Sequence, residues 1–227
     1  VVDSFARAYR VALQEPQGPV YICYDAAFQE DSLEGEYPLP DPGKTGPGTR
    51  LQAEGAALDE LAGWLATAER PVIIAGYLGR HKPAFDVLVA LAEATGAAVI
   101  DQRSRFNFPS DHPLNLSGAG QRYLAEADAV LGLDVKDLFG ALNRVDMSAR
   151  TTSSLLPAGC RVAEIGLRDV SISKWSEEYQ QLQPVDLEIV ADTAAALPEL
   201  LARVRARLAN DPGAAERVRE RTARIAE

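Results

Sequence analysis

The sequence predicts an α/β fold: a doubly wound, mainly parallel sheet with helices on both faces. Three observations predict it. Short apolar runs start at residues 71, 97, 129, 161 and 187, spaced by 26, 32, 32 and 26 residues, the length of one strand–helix–strand unit. The runs are continuously apolar rather than alternating, as in strands covered on both sides. Amphipathic segments at helical spacing lie between them.

The elements follow in order. Residues 3–14 put Phe5, Ala8, Tyr9 and Ala12 at helical spacing, with Asp3 or Ser4 as the cap. Pro16-Gln17-Gly18-Pro19 breaks that helix, and residues 20–25 (VYICYD) read as a short strand. Residues 29–50 are rich in Pro and Gly behind an acidic start and read as an extended linker. A helix over 51–68 carries Leu58, Leu61, Ala62 and Leu65 on one face, and strand 71–76 follows. Helix 83–95 has Pro83 in its first turn and Gly96 as its stop. Strand 97–101, a long loop to 117, helix 118–126 and strand 129–134 come next. A weak helix near 136–144 precedes strands 161–166 and 187–192. Helix 193–209 closes the unit, and 213–226 reads as a charged exit helix.

Composition narrows the function. The 227 residues are 47% hydrophobic and 25% charged, enough for a full core and unlike a disordered chain. Lys and Arg number 23 against 33 Asp and Glu, a net charge of −10. That sign excludes a non-specific nucleic-acid binder and disfavours an anionic membrane surface. No run approaches the ~18 apolar residues of a membrane span. Cys23 and Cys160 lie in apolar runs and are expected as buried free thiols, since a chain of this size needs no disulfide. With His81 and His112 scattered, they make no zinc site. The chain opens Val1-Val2-Asp3, without a signal-peptide pattern and reading as mid-helix, so a piece of something longer is expected; a cytoplasmic location is also expected.

In a sheet of this kind ligands sit beyond the carboxyl ends of the strands. The candidate loops are 76–82, 101–118, 134–137 and 166–174. Gly76-Tyr77-Leu78-Gly79 follows a buried strand, so its glycines either admit a phosphate or serve a tight turn. Arg103 and Arg105 suit phosphates, while Phe106 and Phe108 either stack on a base or pack the loop down. Gly76, Tyr77, Gly79, Arg103, Asp134, Gly166 and Arg168 together outline a candidate nucleotide cleft. No G-x-G-x-x-G occurs, and Gly43-Lys44-Thr45 imitates a P-loop end with Pro38 where the first glycine belongs. His81 and His112 have no Ser or Cys partner at motif spacing and read as solvent or capping histidines. Trp64 and Trp175 read as core or interface anchors. No catalytic residue and no metal ligand is assigned.

The ordered set ERPVIIAG (69–76), LAEATGAAVI (91–100), FPSDHPLNLSG (108–118), AEADAVLGL (125–133) and DLEIVADTAAALPEL (186–200) resembles the central region of thiamine-diphosphate-dependent enzymes. That family includes acetolactate synthase, benzoylformate decarboxylase and oxalyl-CoA decarboxylase. RAYRVALQEPQGPVYICYD (7–25) is similar to the end of the family's pyrimidine-binding domain. The resemblance implies a remnant of that domain over 1–28, a linker over 29–50, a Rossmann-like central domain of the DHS-like NAD/FAD-binding type over 51–209, and an exit segment over 210–227 toward a diphosphate-binding domain. It implies a parent lyase or transferase, a 2-oxo acid decarboxylase or carboligase, that uses thiamine diphosphate and Mg and assembles as a dimer or tetramer. The family's catalytic glutamate lies earlier and its G-D-G…N motif later, so the piece in hand is expected to be inactive and to pair with those missing domains. Family members hold FAD, ADP with CoA, or nothing in the central domain. Here Leu133-Asp134-Val135-Lys136 replaces the G-x-R of FAD binders, and Glu164-Ile165-Gly166-Leu167-Arg168 replaces their I-D-x-D. An Asp134 carboxylate would repel a diphosphate. The leading expectation is therefore a scaffold without cofactor; the alternative is a self-contained module binding FAD, ADP or CoA.

Overall fold

An apolar run buried on both faces must hydrogen-bond its backbone to neighbouring strands; four such runs do so here, and a fifth, Leu187–Val190, pairs at the sheet edge with Glu188 and Val190 exposed. The computed structural model describes residues 1–32, 34–103, 105–167, 170 and 181–225. Arg168 and Trp175 lie outside the described residues. The chain divides into two compact units, Val1–Arg50 and Leu51–Glu227. In chain order the first holds α1 (Val2–Leu13), α2 (Ala26–Glu30) and α3 (Pro42–Thr45). The second holds α4 (Gly55–Thr67), β1 (Pro71–Ala75), α5 (Lys82–Thr95), β2 (Ala98–Asp101), α6 (Gly120–Leu124) and β3 (Ala129–Leu133). It continues with α7 (Leu138–Leu142), β4 (Asn143–Asp146), β5 (Thr151–Ser154), β6 (Arg161–Gly166), β7 (Leu187–Val190), α8 (Thr193–Ala209) and α9 (Ala214–Ile225).

The main sheet is parallel throughout, in the order β2-β1-β3-β6-β7. Alternate side chains divide between two core layers. Ile73, Ala75, Val99, Leu131, Leu133, Ala163 and Ile165 face α4, α5 and α8, whereas Val72, Ile74, Val130 and Val162 face α6 and α7. Leu58, Leu61 and Leu65 of α4 and Leu197, Leu200 and Val204 of α8 are all at most 1% exposed. Each contributes about 2 kcal/mol by leaving water. Carboxylates align the strand starts: Asp128 accepts from the N–H groups of Glu69 and Arg70 at 2.7 and 2.9 Å, and Asp186 from that of Val162 at 2.8 Å. The helix over 82–95 stops as expected at Gly96, in the left-handed region at φ 63°. Among the described residues no helix is long and apolar enough to cross a membrane.

Four features differ from the sequence expectation. Residues 20–25 form no strand; Tyr21 is 90% exposed, since an apolar run becomes a strand only where a partner edge meets it. Cys23 within that run is therefore exposed rather than buried, and Cys160 is half-buried; both thiols are free. The stretch 29–50 carries the short helix α3, started by Asp41 accepting the Gly43 N–H at 2.9 Å, and takes in the end of α2, started upstream by Asp25 accepting the Ala27 N–H at 2.9 Å. The segment 143–154 makes an antiparallel hairpin of β4 and β5 with β5 wholly exposed. Its Thr-Thr-Ser-Ser strand has no apolar period to read.

The thiols should react unequally. Burial, reinforced by the Asp128 and Asp186 carboxylates, pushes the Cys160 thiol up to about 11. At pH 8 about one Cys160 in a thousand is thiolate. A disulfide dye at pH 8 should label Cys23 roughly tenfold or more faster than Cys160. Mass spectrometry of the early product checks this; equal labelling would contradict the burial of Cys160.

Candidate functional site

From β1 the chain steps outward to β2 and then returns across β1 to β3. The direction of winding thus reverses between β1 and β3, and the loops after these strands flank the point where ligands bind in such sheets. Gly76, Tyr77 and Gly79 lie on the first loop and Asp134 on the second. Gly166, at the end of the neighbouring β6, completes the row.

The loops meet backbone to backbone. The Gly76 N–H donates to the Leu133 carbonyl at 2.9 Å. A Cβ at Gly76 would stand 2.2 Å from the Asp134 carbonyl oxygen, and one at Gly79 would stand 2.2 Å from that of Phe106. Both glycines are required by close approach of protein backbone. The Gly79 N–H, near the start of α5, donates to Asn107 Oδ1 at 2.9 Å.

Asn107 is fully buried and was not singled out from the sequence. Its Nδ2 lies 2.7 Å from Asp101 Oδ1, 3.0 Å from the carbonyls of Gly76 and Arg105, and 3.3 Å from that of Ala75, so two hydrogens are shared among four acceptors. Asp101, 8% exposed, also accepts from the backbone N–H groups of Arg103, Asn107 and Phe108 at 2.8, 3.1 and 3.3 Å. The 101–108 loop is thereby folded back over the strand ends. Arg103 is exposed, with φ at 61°. Arg105 donates to the Tyr77 hydroxyl at 2.8 Å and lies 5.0 Å from its ring centre. Phe108 is buried with the His112 ring edge-on at 4.8 Å, whereas Phe106 is 65% exposed and stacks on Phe85 at 5.4 Å.

Asp134 forms the second buried group. Its φ is 49°, its N–H donates to the Ile165 carbonyl at 3.0 Å, and its side chain is 8% exposed. The carboxylate accepts from the Arg80 guanidinium and the Thr193 hydroxyl. Arg80 Nη1 also reaches the Tyr77 carbonyl at 3.0 Å. Burial raises the Asp134 pKa above the usual carboxylate value; Arg80 and Thr193 oppose that rise and Asp192 adds to it. The structure thus brings Gly76, Asp134 and Gly166 together and reaches Tyr77 through Arg80, while Gly79 meets Asn107, Arg103 points away as an exposed side chain, and Arg168 lies outside the described residues.

His112 is a structural histidine: Nδ1 accepts the Leu114 N–H at 3.1 Å, and Nε2 stands 3.4 Å from Glu93 Oε1. His81 occupies the cap position of α5 without a side-chain capping bond. Trp64 is 9% exposed, with the Arg161 guanidinium 4.8 Å over its ring. The Gly79 N–H is bonded to Asn107, and Arg80 and Thr193 are bonded to Asp134, whose carboxylate stands at the same strand ends. A diphosphate entering here would have to displace those bonds and meet a buried carboxylate, so this strand end is a poor fit to the diphosphate of thiamine diphosphate.

Two consequences are measurable. Gly79→Ala should lower stability by about 3 kcal/mol or more, because the displaced atom is backbone, whereas Gly118→Ala, with nothing within 4 Å, should change it by less than about 0.5 kcal/mol. Denaturant midpoints compare the two. For Asp134, a raised folded pKa means that the folded state binds the extra proton between 3.8 and that higher value, so its contribution falls as pH rises through this window. Asp134→Asn should therefore gain melting temperature relative to the native chain on going from pH 4 to pH 7. A constant difference across that range would contradict the assignment.

Comparison with known proteins completes the description. Residues 58–200 match the family described as thiamine pyrophosphate enzyme, central domain. The chain is 34% identical over 140 residues to sulfoacetaldehyde acetyltransferase of Castellaniella defragrans, a match covering 58% of this chain and 22% of that protein. It is 35% identical over 132 residues to the acetolactate synthase large subunit IlvG of Mycobacterium tuberculosis, covering 55% and 23%. The match thus takes in less than a quarter of each curated relative. Benzoylformate decarboxylase from Polynucleobacter necessarius superposes with a TM-score of 0.65 over 88% of this chain and 36% of that one, at 21% identity, a likeness of fold.

Proposed function

Because this chain belongs to the thiamine pyrophosphate enzyme family through its central domain, we propose that it is the non-catalytic middle of a 2-oxo acid decarboxylase or carboligase. The observation that carries this reading is the family match over 58–200. In the parent, thiamine diphosphate and Mg would be held by domains on either side and would supply the carbanion-stabilising chemistry. We assign residues 1–28 to the end of the pyrimidine-binding domain, 29–50 to a linker, 51–209 to the central domain and 210–227 to the exit toward the diphosphate-binding domain. The task of the central domain is to hold its neighbours in register and to support assembly of a dimer or tetramer in the cytoplasm.

We further infer that, of the candidate cleft residues Gly76, Tyr77, Gly79, Arg103, Asp134, Gly166 and Arg168, the described Gly76, Tyr77, Gly79, Asp134 and Gly166 shape a closed strand end rather than a working nucleotide cleft. The commitment of the Gly79 N–H to Asn107 and of Asp134 to Arg80 and Thr193 supports this. The self-contained nucleotide-binding module is the less favoured reading, since a phosphate would first have to displace those bonds.

A ligand panel tests both statements. A bound ligand at 100 times its Kd stabilises a protein by about 2.7 kcal/mol, several degrees in melting temperature. Mg–thiamine diphosphate, FAD, ADP, NAD and CoA should each leave the melting temperature of this chain within about one degree. A clear shift with Mg–thiamine diphosphate would overturn the scaffold assignment, and a shift with FAD, ADP, NAD or CoA would restore the nucleotide module.

A further inference from the structure

At the amino-terminal edge of the parallel sheet, opposite the closed strand end, lies a cavity of about 210 Å³. Its apolar wall includes Val72 at the start of β1, Tyr123 of α6 and Ile225 of α9. Around it stand Arg70, Arg122, Arg221 and Arg224 against the carboxylates of Glu69 and Glu126. Cations outnumber anions two to one here, in a chain whose net charge is −10.

The four guanidiniums are not equivalent. Arg70 is ion-paired with Glu126. Arg221 is 3% exposed and, among the described residues, donates only to carbonyls, those of Leu65, Ala66 and Thr95 at 3.2, 3.0 and 2.7 Å, while its Nε meets no partner there. Burial, with Arg217 and Arg224 nearby, lowers its pKa, while Asp128 and Glu69 oppose. Arg224 reaches the Glu69 carbonyl at 3.1 Å. Arg122 is exposed and lies 5.8 Å from the centre of the Tyr123 ring; among the described residues no carboxylate pairs with it. A buried charge held by carbonyls and only partly offset by the Asp128 and Glu69 carboxylates attracts an anion entering beside it more strongly than the same charge in water would.

We propose that this cavity binds a small organic carboxylate with a single apolar ring or branched chain, its carboxylate facing Arg122 and Arg224 and its apolar body against Val72, Tyr123 and Ile225. The size supports one ring: the cavity is smaller than the roughly 300 Å³ at which sites for drug-sized ligands begin. The mixed lining argues against a bare inorganic anion, which would leave its hydration shell for an apolar wall.

Titration calorimetry of the 227-residue chain at constant ionic strength tests this, with benzoate, its uncharged analogue benzamide, and inorganic phosphate as probes. Benzoate should bind one to one, about tenfold or more tighter than either comparison probe. Arg122→Gln should weaken benzoate by about tenfold while leaving the melting temperature of the free chain unchanged, and Arg205→Gln on α8 should leave benzoate binding intact. Absent benzoate binding, equal affinity for benzamide or for phosphate, or full binding by Arg122→Gln would each overturn the proposal. The outcome is independent of the scaffold assignment, which concerns nucleotides at the other end of the sheet.

Discussion

One buried amide holds the carboxyl end of this sheet together. Asn107 sits where the 101–108 loop, the end of β1 and the turn at Leu78–Arg80 ahead of α5 converge, and it bonds to all three. A primary amide suits this place because it both donates and accepts, whereas a carboxylate could not serve the carbonyls of Ala75 and Gly76. Asp101 completes the set by accepting what the loop backbone donates. Leaving any of these groups unpaired away from water would cost about 1–3 kcal/mol, so the network forms as a whole or the loop lifts.

This bonding occupies the switch point, the place where ligands bind in such sheets. In a nucleotide-binding relative of such a sheet, glycines and helix N-terminal amides are left open for phosphate. Here the same glycines are closed by the protein's own backbone, and the acceptor is an internal side chain. Asp134 adds a negative group at the neighbouring strand end, bound to Arg80 and Thr193.

The fold was largely legible because its signals are periodic. Strand spacing, continuous apolar runs, Pro83 and Gly96 depend on local physics that this structure obeys. Asn107 was not legible, because a polar residue between Phe106 and Phe108 in a polar loop looks like surface; its role comes from contacts with residues about 30 positions earlier. Residues 20–25 misled for the converse reason: composition gives strand propensity, and pairing decides whether a strand exists. The exposure of Cys23 follows from the same missing partner. Asp134 stood out in the sequence as a carboxylate at a strand end, but its partners Arg80 and Thr193, 54 and 59 residues away, were not legible there.

The β4–β5 hairpin bears on how this polypeptide can be altered. Its turn, residues 147–150, is exposed throughout, and β5 contributes nothing to either core layer. Extra residues spliced there would disturb only a four-residue antiparallel pairing and would leave every parallel contact in place. The turn is thus a natural seam: the gene could be opened at this point to accept a foreign domain or a new pair of termini, with the Asn107 network on one side of the break and α8 and α9 on the other.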